Sequence, residues 1–513
     1  MERSIHLEWI DLSIQNGMPI FALELKKINI MISRSDIIEA IRMQGERIKK
    51  GQGYRRDLLS SLSPLLQDYA LIISGIRRCG KSTLLFQMLM DKYQLEETVF
   101  LNFDTPLLYG FEFNDFRIVD EVIKENEKCR VLFFDEVQVV EGWEVYVRGK
   151  LDEGFYVVVT GSNASMLSRE LGTKLTGRHI TKELFPFSYA EYCGYKEQEI
   201  GEGSLYDYLY KGGFPQYLQL DNPDVLSDLV NDIVYRDIAV RYNIRDEHSL
   251  KSLLAYLVGN IGNLVSANKL KQVLGVKSTS TVSDYFSYFE QTYLISFVPR
   301  FSYSYKAQLL NPKKVYCVDN GVVSIASPSF TRDEGRRLEN MVFAELRRRY
   351  SEIFYYNENQ KECDFIIAEN SVPCLAIQVC YSLTAENRKR EVEGLLDALT
   401  FFNLPEGLLL SFNQRDKFII GNSISGREDR DPFSPPVLPS PPSRQNRRQG
   451  PACPYRTARP RTAPGRMPRS LYSNPGTQRA SSRNRPAAAP QPQAGSPSGG
   501  IPWPLPCAFP PRP

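Results

Sequence analysis

The chain has 513 residues, 42% hydrophobic and 24% charged, the composition of a globular protein long enough for several domains. No run of 18 apolar residues occurs, so no membrane-spanning helix and no membrane partner are expected. The first six residues also lack the basic-then-apolar order of a signal peptide. Nine scattered cysteines without a C-x-x-C pair, and only three histidines (His6, His179 and His248), argue against a histidine-rich metal site and point to free thiols in a reducing, cytoplasmic location. The net charge of +3 conceals two opposite parts. From Ser425 onward, fourteen arginines face three acids (Glu428, Asp429 and Asp431), a balance of +11, which leaves −8 for the rest.

Residues 1–30 are weakly patterned, and Met31 offers an alternative start that would make them an upstream extension. A cap and helix follow from Ser33 and Ser35, and an amphipathic helix is expected over 58–66. From Ala70 the pattern alternates strand and helix. Strands are expected at 70–74, 98–103, 130–135 and 155–160, the alternation of a parallel α/β sheet covered on both faces.

The first strand runs into Gly75-Ile-Arg-Arg-Cys-Gly80-Lys81-Ser82, and Leu84, Leu85, Met88 and Leu89 then recur at helical spacing. Strand, glycine-rich loop and helix form the context of a phosphate-binding P-loop. The glycines let successive N–H groups converge on one anion, and the helix dipole adds to their attraction. Gly75, Arg77, Arg78, Cys79, Gly80, Lys81, Ser82 and Thr83 are therefore expected to contact ATP, with Ser82 also on Mg²⁺. The third strand ends in Phe134-Asp135-Glu136. Asp135 is expected to hold Mg²⁺, directly or through water, and Glu136 to polarise the attacking water. The fourth strand ends in Thr160-Gly-Ser-Asn163. Asn163 is a candidate for the terminal phosphate or its water, although Gly-Ser-Asn is equally ordinary turn chemistry. Arg178 is a candidate arginine finger acting on a neighbouring subunit; a surface or salt-bridged arginine is the competing reading.

Helices at 205–210 and 225–240, separated by Gly212-Gly213-Phe214-Pro215, suggest a small helical lid. Residues 248–320 read as three helices and a hairpin, a winged-helix pattern. Its third helix, 280–290, carries Asp284 and Glu290 and no Arg or Lys, so protein packing is favoured there over DNA readout. Residues 336–420 form a further α/β unit. Glu339 and Asp364, followed by a polar pair on the next strand, have the order of a restriction-type nuclease core. That chemistry needs two carboxylates for metal and a lysine near the water. The pair here is Gln378-x-Cys380, so an inactive relic is expected and nuclease action is not. After about 425 the chain holds 22 of its 33 prolines. It reads as disordered: either a basic interaction arm or, preferentially, a reading-frame artefact joined to a truncated domain.

In order and spacing these pieces resemble a family of prokaryotic AAA+ ATPases with an N-terminal P-loop domain, a winged-helix region and a C-terminal domain of unknown function related to restriction-type nucleases. The residues that carry the resemblance are Gly75-Ile-Arg-Arg-Cys-Gly80-Lys81-Ser82, Phe133-Phe-Asp135-Glu136, Thr160-Gly-Ser-Asn163, Leu175-Thr-Gly177-Arg178, Gly212-Gly213-Phe214-Pro215 and Asp364-Phe. The resemblance covers about 31–420 and implies a P-loop AAA+ domain with a parallel sheet (56–195), a helical lid (196–245), a winged helix (246–330) and a restriction-nuclease-like α/β domain (331–424); the extension and helix (1–55) and the tail (425–513) are read from the residues, and the tail departs from the family. The expected activity is Mg²⁺-dependent ATP hydrolysis coupled to conformational change on an unknown protein or nucleic-acid client, with homo-oligomers as a further expectation. A nucleotide-gated binding switch with little turnover, or a DNA-acting protein with a degenerate nuclease domain, are the alternatives.

Overall fold

The computed structural model describes residues 32–414 apart from 52, 63, 164–174 and 328–332. The extension before Ile32, the alternative start at Met31 and the arginine-rich tail lie outside the described residues.

Helix α1 (Arg34–Lys50) starts at Ser33, whose side chain and that of Asp36 form a reciprocal capping box. Helix α2 (Asp57–Ser61) is much shorter than the expected 58–66. Leu62 is already extended, and Pro64 disfavours helix both at itself and just before it.

Strand β1 (Ala70–Ser74) leads to α3 (Lys81–Lys92). Then come β2 (Thr98–Asn102), α4 (Phe116–Glu125), β3 (Val131–Asp135), α5 (Trp143–Asp152), β4 (Tyr156–Gly161) and β5 (His179–Glu183). The five strands are parallel, in the order β2-β3-β4-β1-β5. β1 and β3 are buried along their whole length, and strict alternation divides their side chains between two cores. Leu71, Ile73, Phe133 and Val158 pack with α3 on one face. Ala70, Ile72, Leu132, Phe134, Val157 and Val159 pack with α1, α4 and α5 on the other. The fifth strand was not expected from sequence. It reads His-Ile-Thr-Lys-Glu, is only partly buried, and occupies the sheet edge, where few apolar residues are required.

Helix α6 (Tyr189–Lys196) is capped by Ser188 and Glu191. Helices α7 (Glu202–Lys211) and α8 (Pro215–Leu220) flank Gly212-Gly213. A Cβ on Gly213 would lie 2.2 Å from the Phe187 carbonyl oxygen, so only glycine fits there. The expected helix over 225–240 divides: α9 (Asp224–Asp232) continues into a π-wound segment, Ile233–Val240.

Helices α10 (Glu247–Gly259), α11 (Ala267–Val273) and α12 (Thr279–Gln291) accompany a small antiparallel sheet. It is built from β6 (Leu264–Val265), β7 (Ile295–Val298) and β8 (Lys313–Cys317) in the order β6-β8-β7, with α13 (Tyr305–Leu310) between β7 and β8. Helix α14 (Asn320–Ala326) follows, then α15 (Glu334–Arg349). A four-stranded sheet is formed by β9 (Glu352–Glu358), β10 (Lys361–Glu369), β11 (Val372–Val379) and β12 (Leu408–Leu410), with α16 (Arg388–Phe402) packed on β10 and β11. One apolar cluster crosses from the smaller sheet to the larger: Val298 and Tyr316 pack with Leu338, Phe343, Phe365 and Ile377.

Candidate functional site

The parallel sheet brings the loop after β1 and the ends of β3 and β4 to one edge, because β4 lies between β3 and β1. The loop turns where glycine is required. Gly75 has φ +143°, and a Cβ there would meet the Leu184 carbonyl oxygen at 2.1 Å; Gly80 caps α3 at φ +102°. Behind the loop, buried Arg56 donates to the Cys79 and Phe185 carbonyl oxygens at 2.8 and 2.7 Å and pairs with Glu191 at 2.9 Å. Cys79 Sγ lies 3.3 Å from the Leu184 carbonyl oxygen, so the thiol is turned into the core. Thr83 is half-buried in the first turn of α3.

Lys81 is buried. Its Nζ donates to the carbonyl oxygens of Gly75 and Ile76 at 3.2 and 3.3 Å and lies 3.4 Å from Glu136 Oε1. Ser82 Oγ donates to Asp135 Oδ2 at 2.6 Å, and Asn102 Nδ2 donates to the same oxygen at 2.6 Å. Thr160 Oγ1 donates to Asp135 Oδ1 and accepts from the Glu136 N–H at 3.0 Å. Burial and the adjacent Glu136 charge push the Asp135 carboxyl above its usual range. Burial opposes ionisation of Glu136 too, but the Lys81 ammonium, a Gln138 hydrogen bond and the nearby Arg77 hold its carboxyl below the usual range. Ser82 and Asp135 are a hydroxyl and a carboxylate at one point, hard oxygen donors that suit Mg²⁺, which keeps water and phosphate oxygens as its other ligands.

Asn163 is buried just beyond β4, on the P-loop edge of the sheet. Arg178 lies at the opposite edge. Its carbonyl oxygen accepts from the Ala70 N–H at 3.1 Å and its guanidinium pairs with Asp152 at 2.7 Å. Four residue steps of β1 separate that edge from Ser74, about 13 Å, so Arg178 does not reach this chain's own P-loop. The side chains of Arg77 and Arg78 engage Asp237 and Asp232.

Several residues here carried no motif in the sequence. Gln44, on α1, exchanges hydrogen bonds with the backbone of Asn102 and fixes the strand end beside Asp135. Gln138 donates to Glu136 and Ser162 from a short turn, while its Oε1 is buried without a hydrogen-bond partner. Both sit in ordinary polar segments, and only the adjacency of strand ends gives them a role.

The second candidate cluster is also assembled, with a difference. Glu339 on α15 and Asp364 on β10 converge, and Lys314 from β8 stands between them. Its buried Nζ is 3.1 Å from Glu339, 2.7 Å from Asp364 and 2.7 Å from Glu362. A lysine is thus present, supplied from 50 residues upstream of Asp364 rather than from the Gln378-x-Cys380 pair. Gln378 is occupied by the Asp364 N–H and by Glu391, and Cys380 Sγ donates to the Ser382 carbonyl oxygen. Burial and the Asp364 charge raise the Glu339 carboxyl to about 7.

Comparison with known proteins bears on the domain that holds the first site. A family model described as an AAA domain matches residues 67–193, and one described as a domain of unknown function, DUF8612, matches 202–333. An uncharacterized protein of Methanocaldococcus jannaschii is 31% identical over 405 residues, 74% of this chain and 89% of that protein. An uncharacterized protein of Haemophilus influenzae is 32% identical over 348 residues, 64% and 86% respectively. Among solved structures, AMPPCP-bound DnaA from Aquifex aeolicus is 13% identical, covering 49% of this chain and 88% of that one at a TM-score of 0.23. Cdc6p from Pyrobaculum aerophilum is 14% identical, covering 52% and 90% at 0.23. Superpositions this loose carry no argument about this chain. The alignments to the two uncharacterized proteins do: the chain belongs with them to one family of AAA-domain proteins.

Proposed function

We propose that the protein is a Mg²⁺-dependent ATPase of the AAA+ type. The observation that carries this reading is the meeting of Lys81, Ser82, Asp135 and Glu136 at one edge of the parallel sheet, with Ser82 Oγ 2.6 Å from Asp135 and Lys81 3.4 Å from Glu136. Lys81 exchanges its loop carbonyls for the phosphates of ATP, and the loop amides hold those phosphates in place. Ser82 and Asp135 would hold Mg²⁺, which neutralises charge developing on the phosphate oxygens. Glu136, kept ionised beside Lys81 and hydrogen-bonded by Gln138, orients the attacking water, and Asn163, buried just past the end of β4, is the candidate for the terminal phosphate or its water. Arg178 can serve as a finger only toward another subunit's nucleotide.

The remaining assignments belong to the same reading. Helices α7 to α9 with the π-wound segment Ile233–Val240 act as the lid. Helices α10 to α12 with the β6-β8-β7 sheet form a winged helix, and the β12-β11-β10-β9 sheet is a nuclease-like domain without nuclease action. The sheet order and the helices preceding it support these assignments.

The test is nucleotide binding and turnover by the full chain. Lys81→Ala should lose ATP binding, and Glu136→Gln should keep ATP but not hydrolyse it. Undiminished ATP binding by Lys81→Ala would show the site to be misassigned.

A further inference from the structure

Two arginines in the P-loop are tied to a helical region far along the chain. Arg77 grips Asp237 at two points, Nε to Oδ2 at 3.0 Å and Nη2 to Oδ1 at 2.9 Å, and Arg78 Nη2 lies 3.0 Å from Asp232 Oδ2. Asp232 ends α9, and Asp237 is buried in the π-wound segment Ile233–Val240. Such winding is rare and is found disproportionately at functional positions. The Asp237 hydrogen bonds above all, against the opposing effect of burial, and then the charges of Asp237, Glu136 and Asp104 hold the Arg77 guanidinium firmly protonated. The Arg77 side chain is tied to the segment that leads toward α10 and lies within electrostatic reach of the carboxylate assigned to the attacking water.

Resting on the ATPase reading, we propose that Asp237 and the terminal phosphate of a bound nucleoside triphosphate compete for Arg77. The Arg77–Asp237 pair is then a latch that the triphosphate opens and the diphosphate leaves shut. A guanidinium fork meets carboxylate and phosphate with the same two-point geometry, so the exchange replaces one charge-assisted pair with another. The terminal phosphate alone reaches this point, because it sits nearest Glu136 while the inner phosphates occupy the loop amides. Ile233, Val234, Ile238 and Ala239 share a core with Leu250, Leu253, Leu254 and Leu257 of α10. A segment released at Asp237 therefore passes its shift to α10 and the helices beyond it. Holding Arg77 on Asp237 also lowers apparent triphosphate affinity by the fraction of molecules in which the latch is open.

The test compares ATP and ADP binding by the full chain, its Asp237→Asn variant, its Arg77→Gln variant and the double variant. Asp237→Asn should tighten ATP binding by about fivefold or more, within the usual range of coupling between sites, and leave ADP binding unchanged. Arg77→Gln should weaken ATP binding selectively, and in that background Asp237→Asn should have no further effect. In the unaltered chain, the amides of 233–240 should exchange faster with AMPPCP bound than with ADP bound. That measurement decides the matter should Asp237→Asn fail to fold. Equal shifts for ATP and ADP, an Asp237→Asn effect that persists without Arg77, or unchanged exchange across 233–240 would each overturn the latch. An unaltered chain that binds neither nucleotide would instead remove the ATPase reading and the latch with it.

Discussion

Lys314 Nζ lies 2.7 Å from Asp364 Oδ1, joining a strand of the three-stranded sheet to one of the four-stranded sheet across 50 residues of sequence. The ammonium is almost wholly buried and also contacts Glu339 and Glu362. Its removal leaves buried carboxylates facing one another without a counter-charge. Lys314→Met should therefore destabilise the protein by about 3–5 kcal/mol, measured by urea unfolding. A loss below about 1 kcal/mol would mean that water already screens the cluster.

The same cluster sets a pH dependence. The folded-state carboxyl of Glu339 is raised to about 7, from a usual value of 4.5. The folded state therefore holds a proton that the unfolded state has released, so this contribution to stability is present at low pH and lost as pH rises toward 7. Parent and Glu339→Gln should diverge between pH 5 and 7, with the parent losing stability more steeply. Parallel pH profiles would show that Glu339 titrates normally.

Glu136 behaves in the opposite sense. Its carboxyl is held below the usual range, so it stays ionised throughout the neutral region. ATP hydrolysis should show no acid limb attributable to Glu136 above about pH 5. In Lys81→Met that support is gone and the carboxyl should rise, which a carboxylate-specific infrared titration would detect. An unchanged titration would show that Lys81 is not what holds Glu136 down.

Arg56 and Glu191 are both nearly fully buried, and the arginine also satisfies two carbonyl oxygens around the P-loop. Arg56→Met should cost about 3–5 kcal/mol, mostly from the stranded Glu191 charge. Introducing Glu191→Met as well should recover part of that loss in thermal denaturation, since an apolar pair avoids the stranded charge.

The parallel sheet was legible because buried central strands are apolar up to their ends, and β1, β3 and β4 break that run only at Ser74, Asp135 and Thr160-Gly161. The P-loop and the Asp135-Glu136 pair were legible because their chemistry depends on local spacing. Residues that depend on distant parts of the chain meeting were not: Arg56, Gln44 and Asp237 become meaningful only when partners 23 to 160 residues away in sequence are brought to them. Lys314 escaped notice for the same reason, since nuclease spacing directs attention to Cys380 and away from β8. Edge strand β5 escaped because none of its five residues is fully buried and two, Ile180 among them, are exposed, so it carries no apolar run.

The shared apolar cluster and the Lys314 cage mean that the chain cannot be divided cleanly between α14 and α15. A fragment ending near 327 would carry a lysine buried with no acid beside it, and one beginning near 333 would carry acids with no cation. Each half would present the mould of the other. Made separately, the two should seek each other out and reassemble in a one-to-one complex, as the pieces of a split reporter do.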